Sequence, residues 1–146
     1  MALSNFRPIR GKAEYALWLA KTAGANGVYV IRQKARKGRK AKILYIGESH
    51  THRLRETLQR HYQDWNGKTA GPTFDATKTE VAIEIFLRGE DAVRRQNQLI
   101  RRHKPEFNTV IPDVLDDPID RTLGRRRTRE EEAYDELSDF FEGVTL

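Results

Sequence analysis

The chain has 146 residues, 38% of them hydrophobic and 33% charged, and no cysteine. That suffices for one compact domain with a modest core and a large polar surface, and it excludes disulfide scaffolds, thiolate zinc sites and cysteine nucleophiles. No apolar run approaches the roughly 18 residues of a membrane span and no signal-peptide core stands at the start, so a soluble, cytoplasmic protein with no membrane partner is expected.

The net charge of +6 is unevenly spread. Residues 109–146 hold five arginines against eleven acids, net −6, so residues 1–108 hold 22 basic side chains against 10 acids, net +12. A body that basic predicts a polyanionic partner, with affinity falling steeply as salt rises. Charge alone does not separate DNA from RNA.

In chain order, residues 1–12 carry Arg7, Arg10 and Lys12 beside Pro8 and Gly11 and read as an extended basic arm. Ala13 to Ala23 is helix-forming, with Tyr15, Trp18 and Leu19 spaced for one apolar face, and Gly24 and Gly27 bracket its end. Trp18 is expected to pack. Residues 1–24 therefore form an N-terminal arm and helix ahead of a domain at 25–110.

That domain begins with two apolar runs, Gly27-Val28-Tyr29-Val30-Ile31 and Ile43-Leu44-Tyr45-Ile46-Gly47, which read as a β-hairpin. Its long tip holds Arg32, Lys34, Arg36, Lys37, Arg39, Lys40 and Lys42, seven cations suited to tracking a phosphate backbone without reading sequence. Glu48 to Thr51 form a polar turn suited to capping a helix from about His52 to Trp65, with Leu54, Leu58, His61 and Trp65 on its inner stripe. Arg53, Arg60 and His61 lie where they could face the two tyrosines. After a polar loop at 67–78, Val81, Ile83, Ile85 and Leu87 alternate with Glu80, Ala82, Glu84 and Phe86 as a third strand. A second helix runs from about Glu90 to His103, acidic at its start and basic at its end, with Ala92, Gln96, Leu99 and Ile100 inward and Pro105 stopping it. Residues 111–146 read as a charged linker and an acidic amphipathic helix at 129–141, which folds back on the basic body, masks it, or docks a protein partner.

The order strand, basic turn, strand, helix, strand, helix, with Gly27-Val28-Tyr29 and Tyr45-Ile46-Gly47 at the hairpin, resembles the GIY-YIG endonuclease domain. The resemblance continues through Arg60-His61-Tyr62, through Ala92 to Ile100 with its Leu99-Ile100 pair, and through Pro105-Glu106-Phe107-Asn108. It covers roughly residues 25–110. It implies an α+β fold, a small three-stranded antiparallel sheet flanked by helices, and Mg²⁺- or Mn²⁺-assisted hydrolysis of DNA phosphodiesters, with duplex DNA ahead of single strand as the partner. Such hydrolysis needs an activated water, a cation against the phosphoryl charge, and stabilisation of the leaving oxygen. Tyr29 would be the general base if nearby cations depress its pKa, and Tyr45 would position the water or a phosphate oxygen. Arg53 or Arg60 would clamp the phosphate with a planar donor fork, His61 would bond a phosphate oxygen or relay a proton, and Asn108 would brace the backbone beside the nucleic acid. A domain this small could gain specificity as a homodimer with paired sites.

One position departs from the family. Its metal-binding glutamate is Gln96 here, an isostere with no charge, which should weaken Mg²⁺ or Mn²⁺ binding severely. Two explanations compete: a deliberately silenced endonuclease, or a natural pseudo-nuclease that binds nucleic acid without cutting. Glu48 or Glu90 could in principle supply the missing carboxylate, although Glu90 lies nearly two helical turns before Gln96, on another face. An RNA-acting nuclease is the remaining alternative.

Overall fold

A computed structural model describes residues 3–10, 15–36, 38, 40–63 and 72–119. Lys37, Arg39, Trp65 and the expected helix at 129–141 lie outside them. The fold is α+β: three antiparallel strands, β1 (Asn26–Gln33), β2 (Ile43–Ser49) and β3 (Thr79–Phe86), in the order β2-β1-β3, with helices α1 (Leu54–Gln59) and α2 (Gly89–His103). Among the described residues, no helix is long and apolar enough to cross a membrane.

The period of two in the strands sorts side chains onto two faces, and both are covered. Tyr29, Ile31, Val81 and Ile83 pack with Leu54, Leu58 and Tyr62 on the α1 face, while Val28, Val30 and Ile46 pack with Leu99 and Ile100 on the α2 face. Two glycines permit the close approaches this needs. A Cβ on Gly27 would strike the Glu84 carbonyl and the Leu54 side chain, and one on Gly47 would strike the Tyr29 ring. Gly27 thus lets α1 settle onto the sheet, and Gly47 makes room for a phenol lying across its neighbouring strand.

Several expected boundaries move. Instead of a helix over Ala13 to Ala23, the described part of that stretch holds a short 3₁₀ helix, Leu17–Thr22. Tyr15 is drawn into a bridge with Arg10, and the Ala16 amide donates to the Ile9 carbonyl, which delays the helical start. The basic arm joins the same core: Arg7 and Val81 exchange backbone hydrogen bonds, the Ser4 amide donates to the Ile83 carbonyl, and Ile9 is fully buried. It thereby covers the outer edge of β3. The helix expected over 52–65 is α1 followed by a 3₁₀ turn, Arg60–Tyr62, and Leu54, Leu58 and His61 are buried as their spacing predicts. Leu87, expected in the third strand, stands past its end and is 95% exposed.

The linker expected after Thr109 is docked on α2 over its described part. A 3₁₀ turn, Val114–Asp116, is capped reciprocally by Asp113 and Asp116, and the buried Asp117 accepts from both Arg101 Nη atoms (3.1 and 2.9 Å) and from Asn97 Nδ2 (2.9 Å). Burial of that carboxylate is compensated by a bidentate guanidinium partner.

Candidate functional site

β1 and β2 bring the two tyrosines to one face of the sheet, because Tyr29 pairs with Gly47 and Tyr45 with Ile31. Their ring centroids lie 6.2 Å apart, and His61, from the turn after α1, sits 5.4 Å from Tyr29 and 4.8 Å from Tyr45. Tyr29 is 1% exposed, and its hydroxyl is 2.7 Å from His61 Nε2. His61 Nδ1 is 2.7 Å from the Pro72 carbonyl oxygen. A carbonyl only accepts, so Nδ1 carries the ring proton and Nε2 of the neutral imidazole accepts from the Tyr29 hydroxyl.

This arrangement reverses one expectation. The condition for Tyr29 as a general base, a pKa depressed by nearby cations, is not met: burial raises it well above its ordinary value, the Tyr45 phenol and Glu48 push the same way, and Arg60 opposes them. Burial also raises Tyr45, with Glu48 adding to it, and lowers His61 below its usual range, with Arg60 helping and the Pro72 carbonyl opposing. Phenol and imidazole are both held neutral, Tyr29 as a donor and His61 as an acceptor. The physical reason is that the pair is dry, and desolvation outweighs the one cation within reach.

Between the two candidate arginines, Arg60 is the one whose charge acts on both Tyr29 and His61. Arg53 stands exposed at the start of α1, its amide donating to Ser49 Oγ at 3.0 Å. The exposed Arg60 side chain therefore borders the phenol–imidazole cluster.

Tyr45, Gln96 and Asn108 meet in a second place, a cleft of about 450 Å³ between β2, α2 and the segment after Pro105, whose walls include Pro72, Ile100 and Phe107. Tyr45 is the member common to both groups. Asn108 braces the backbone as expected: its Oδ1 accepts from the Ile46 amide and its Nδ2 donates to the Ile46 carbonyl, both at 2.9 Å. With the Phe107 amide donating to Leu44 O at 3.0 Å, this segment satisfies the open edge of β2. Gln96 is half-buried, and its Nε2 makes a long contact of 3.3 Å to Asn97 Oδ1. A larger cleft of about 930 Å³, lined by Arg10, Tyr15, Tyr62 and Asp75 among others, holds none of the expected catalytic residues.

The donors present do not suit Mg²⁺ or Mn²⁺. Hard divalent cations want carboxylates, whereas the described lining offers a phenol, three amides and a hydroxyl, with no Asp or Glu. Glu48 is occupied by His50 Nδ1 at 2.9 and 3.1 Å. Among the described residues, no three His, Cys, Asp or Glu side chains converge as a metal-holding group.

At the hairpin tip, Arg32 is engaged rather than free. It pairs with Glu80 at 2.7 Å and lies 3.7 Å over the Phe6 ring. Lys42 pairs with Glu106 at 2.6 Å, but both side chains are more than half exposed, so that bridge is weak and readily exchanged. Lys34, Arg36 and Lys40 are exposed.

Sequence reasoning missed the supporting cast. Pro72 fixes the His61 tautomer, and Phe74 links the two groups, 6.3 Å from Tyr45, 6.0 Å from His61 and edge-on to Phe107 at 5.4 Å. The available signal was Phe74, a large aromatic inside an otherwise polar loop. No protein-family model matches the chain, and no curated protein is significantly similar to it in sequence.

Proposed function

We propose that this chain is a DNA-binding domain built on a phosphodiesterase plan of the GIY-YIG type, in which hydrolysis is held back by the neutral amide at position 96. The observation that carries this reading is the meeting of Tyr45, Gln96 and Asn108 in one cleft, with the Tyr29–His61 pair directly behind Tyr45. Support also comes from the charge of the body, net +12 over residues 1–108, and from Lys34, Arg36 and Lys40 exposed at the hairpin tip.

Within this reading the residues divide their work. Arg60 and the tip lysines attract and align the phosphate backbone. Tyr45 lines the cleft, where its hydroxyl can bond a water or, once a metal ion is held there, a phosphate oxygen. Tyr29 and His61 hold Tyr45 from behind and keep a neutral, preorganised hydrogen bond in a dry setting. A carboxylate at 96 would add the hard oxygen donor that Mg²⁺ or Mn²⁺ requires, and with it the Lewis acid for hydrolysis.

The test is direct. Gln96→Glu and the parent protein are incubated with supercoiled plasmid in Mg²⁺ or Mn²⁺, with binding measured in parallel. Nicking by Gln96→Glu, and binding with little or no nicking by the parent, is the expected outcome. If Gln96→Glu binds DNA and cuts nothing, the domain is a binding module with no latent hydrolase.

A further inference from the structure

We infer that the cleft at Tyr45 and Gln96 receives an unstacked nucleobase, so that the protein prefers DNA carrying an unpaired nucleotide to fully paired duplex. This rests on the nucleic-acid reading above and adds to it the chemical class that enters the cleft.

Electrostatics disfavour the alternative occupant, a phosphate without a metal ion. Among the described residues, the cleft lining holds no Lys, Arg, Asp or Glu, although the body around it is strongly basic. A phosphate drawn inside would lose part of its water and meet no cation among the described lining residues. In the chain as it stands, with Gln96 and no metal ion, the cleft therefore favours a group that is neutral and either flat or apolar, and phosphates keep to the charged exterior.

The walls match a nucleobase. The Tyr45 ring and the Phe107 ring line the cleft, joined through Phe74 into one aromatic array, with Ile100 and Pro72 completing the apolar surface. Phe107 is 42% exposed, the one aromatic ring among the exposed large hydrophobic side chains of the described residues. At about 450 Å³ the cleft falls within the roughly 300–1,000 Å³ typical of small-ligand sites. Gln96 supplies a carboxamide whose N–H and C=O groups stand side by side, the pattern that pairs with a base edge, and its 3.3 Å contact to Asn97 is long enough to be given up.

The walls are also fixed in advance. Asn108 clasps Ile46 on one side, and on the other the Asp117–Arg101 and Asp117–Asn97 bonds hold the chain that carries Thr109, Val110 and Pro112 along the cleft. A preformed slot loses little freedom when a ring enters it.

The experiment compares the full chain binding two duplexes of equal length at equal salt, one fully paired and one with a single unpaired adenine bulge. The bulged duplex is expected to bind about tenfold tighter, the scale of one base stacked on an aromatic side chain. Phe107→Ala should erase that preference and Phe107→Trp should keep it, which separates a stacking effect from a folding defect. Equal affinities for the two duplexes, or a preference that survives in Phe107→Ala, would overturn the inference while leaving DNA binding intact. Binding to neither duplex would overturn it together with the reading it rests on.

Discussion

The two sides of Tyr45 differ in what water can reach. Behind it, Tyr29 and His61 are almost fully buried, their polar atoms satisfied by each other and by Pro72. In front of it, Gln96 and Phe107 line an open cleft, one with a long amide contact and the other with a bare ring face. The same residue types thus serve two ends. A phenol and imidazole sealed from solvent become a neutral strut, and a phenol, an amide and an arene left open become a surface for a ligand. Burial, rather than residue identity, decides which role a tyrosine takes in this sheet.

The contrast can be broken most severely from behind. Gly47→Ala places a methyl against the Tyr29 ring, so either the phenol leaves His61 or the strands separate. A loss of about 3 kcal/mol in urea unfolding is expected, at the upper end of overpacking effects. A smaller break is Tyr29→Phe, which leaves His61 Nε2 buried without its donor. That should cost about 2 kcal/mol, the scale of one unsatisfied buried acceptor. A variant that unfolds at the parent denaturant concentration would show that the strut carries no stability.

The pH dependence sharpens the same difference. The folded-state pKa of His61 is depressed, so its contribution is fully present above the unfolded value of about 6.5 and is lost as pH falls through the folded value. Tyr29 is raised, so its contribution is present below about 10 and is lost as pH rises through the folded value. The pair should therefore favour the fold most between these limits. His61→Gln should flatten the acid side of a stability–pH curve, though not entirely, because His103 is lowered as well. An unchanged acid slope would place the loss elsewhere.

The smallest expected effects lie at the hairpin tip. Neutralising Lys34, Arg36 and Lys40 should reduce the salt dependence of DNA binding by roughly 0.9 in log–log slope for each phosphate left unneutralised. Arg32→Ala should leave that slope unchanged, since Arg32 is held by Glu80 and Phe6. A reduced slope in Arg32→Ala would mean that it leaves Glu80 to meet phosphate.

Much of the scaffold was legible in the sequence, because alternation over Val81 to Phe86 and the two apolar runs around Tyr29 and Tyr45 determine strands locally. The backbone brace at Asn108 was anticipated on the strength of a family resemblance. The rest depends on tertiary partners far along the chain. Asp117 looks like linker composition until Arg101, 16 residues earlier, encloses it, and Ile9 looks like part of a solvated arm until β3 accepts it as a neighbour. The direction of the Tyr29 shift was illegible for the same reason: a count of nearby cations carries no information about desolvation. Helix length failed where 3₁₀ geometry replaced the α form at Leu17–Thr22 and Arg60–Tyr62, since an apolar stripe does not encode how tightly the chain winds.

The most direct test of an open cleft in front of a sealed strut is a titration of the isotope-labelled protein with a short DNA duplex carrying one unpaired base. NMR would monitor the Gln96 side-chain amide and the Tyr45 and Phe107 rings. These three signals are expected to shift together in a saturable way while the Tyr29–His61 hydrogen bond persists. Saturable shifts confined to the hairpin tip, with Gln96, Tyr45 and Phe107 unmoved, would contradict the assignment of the cleft as the ligand site.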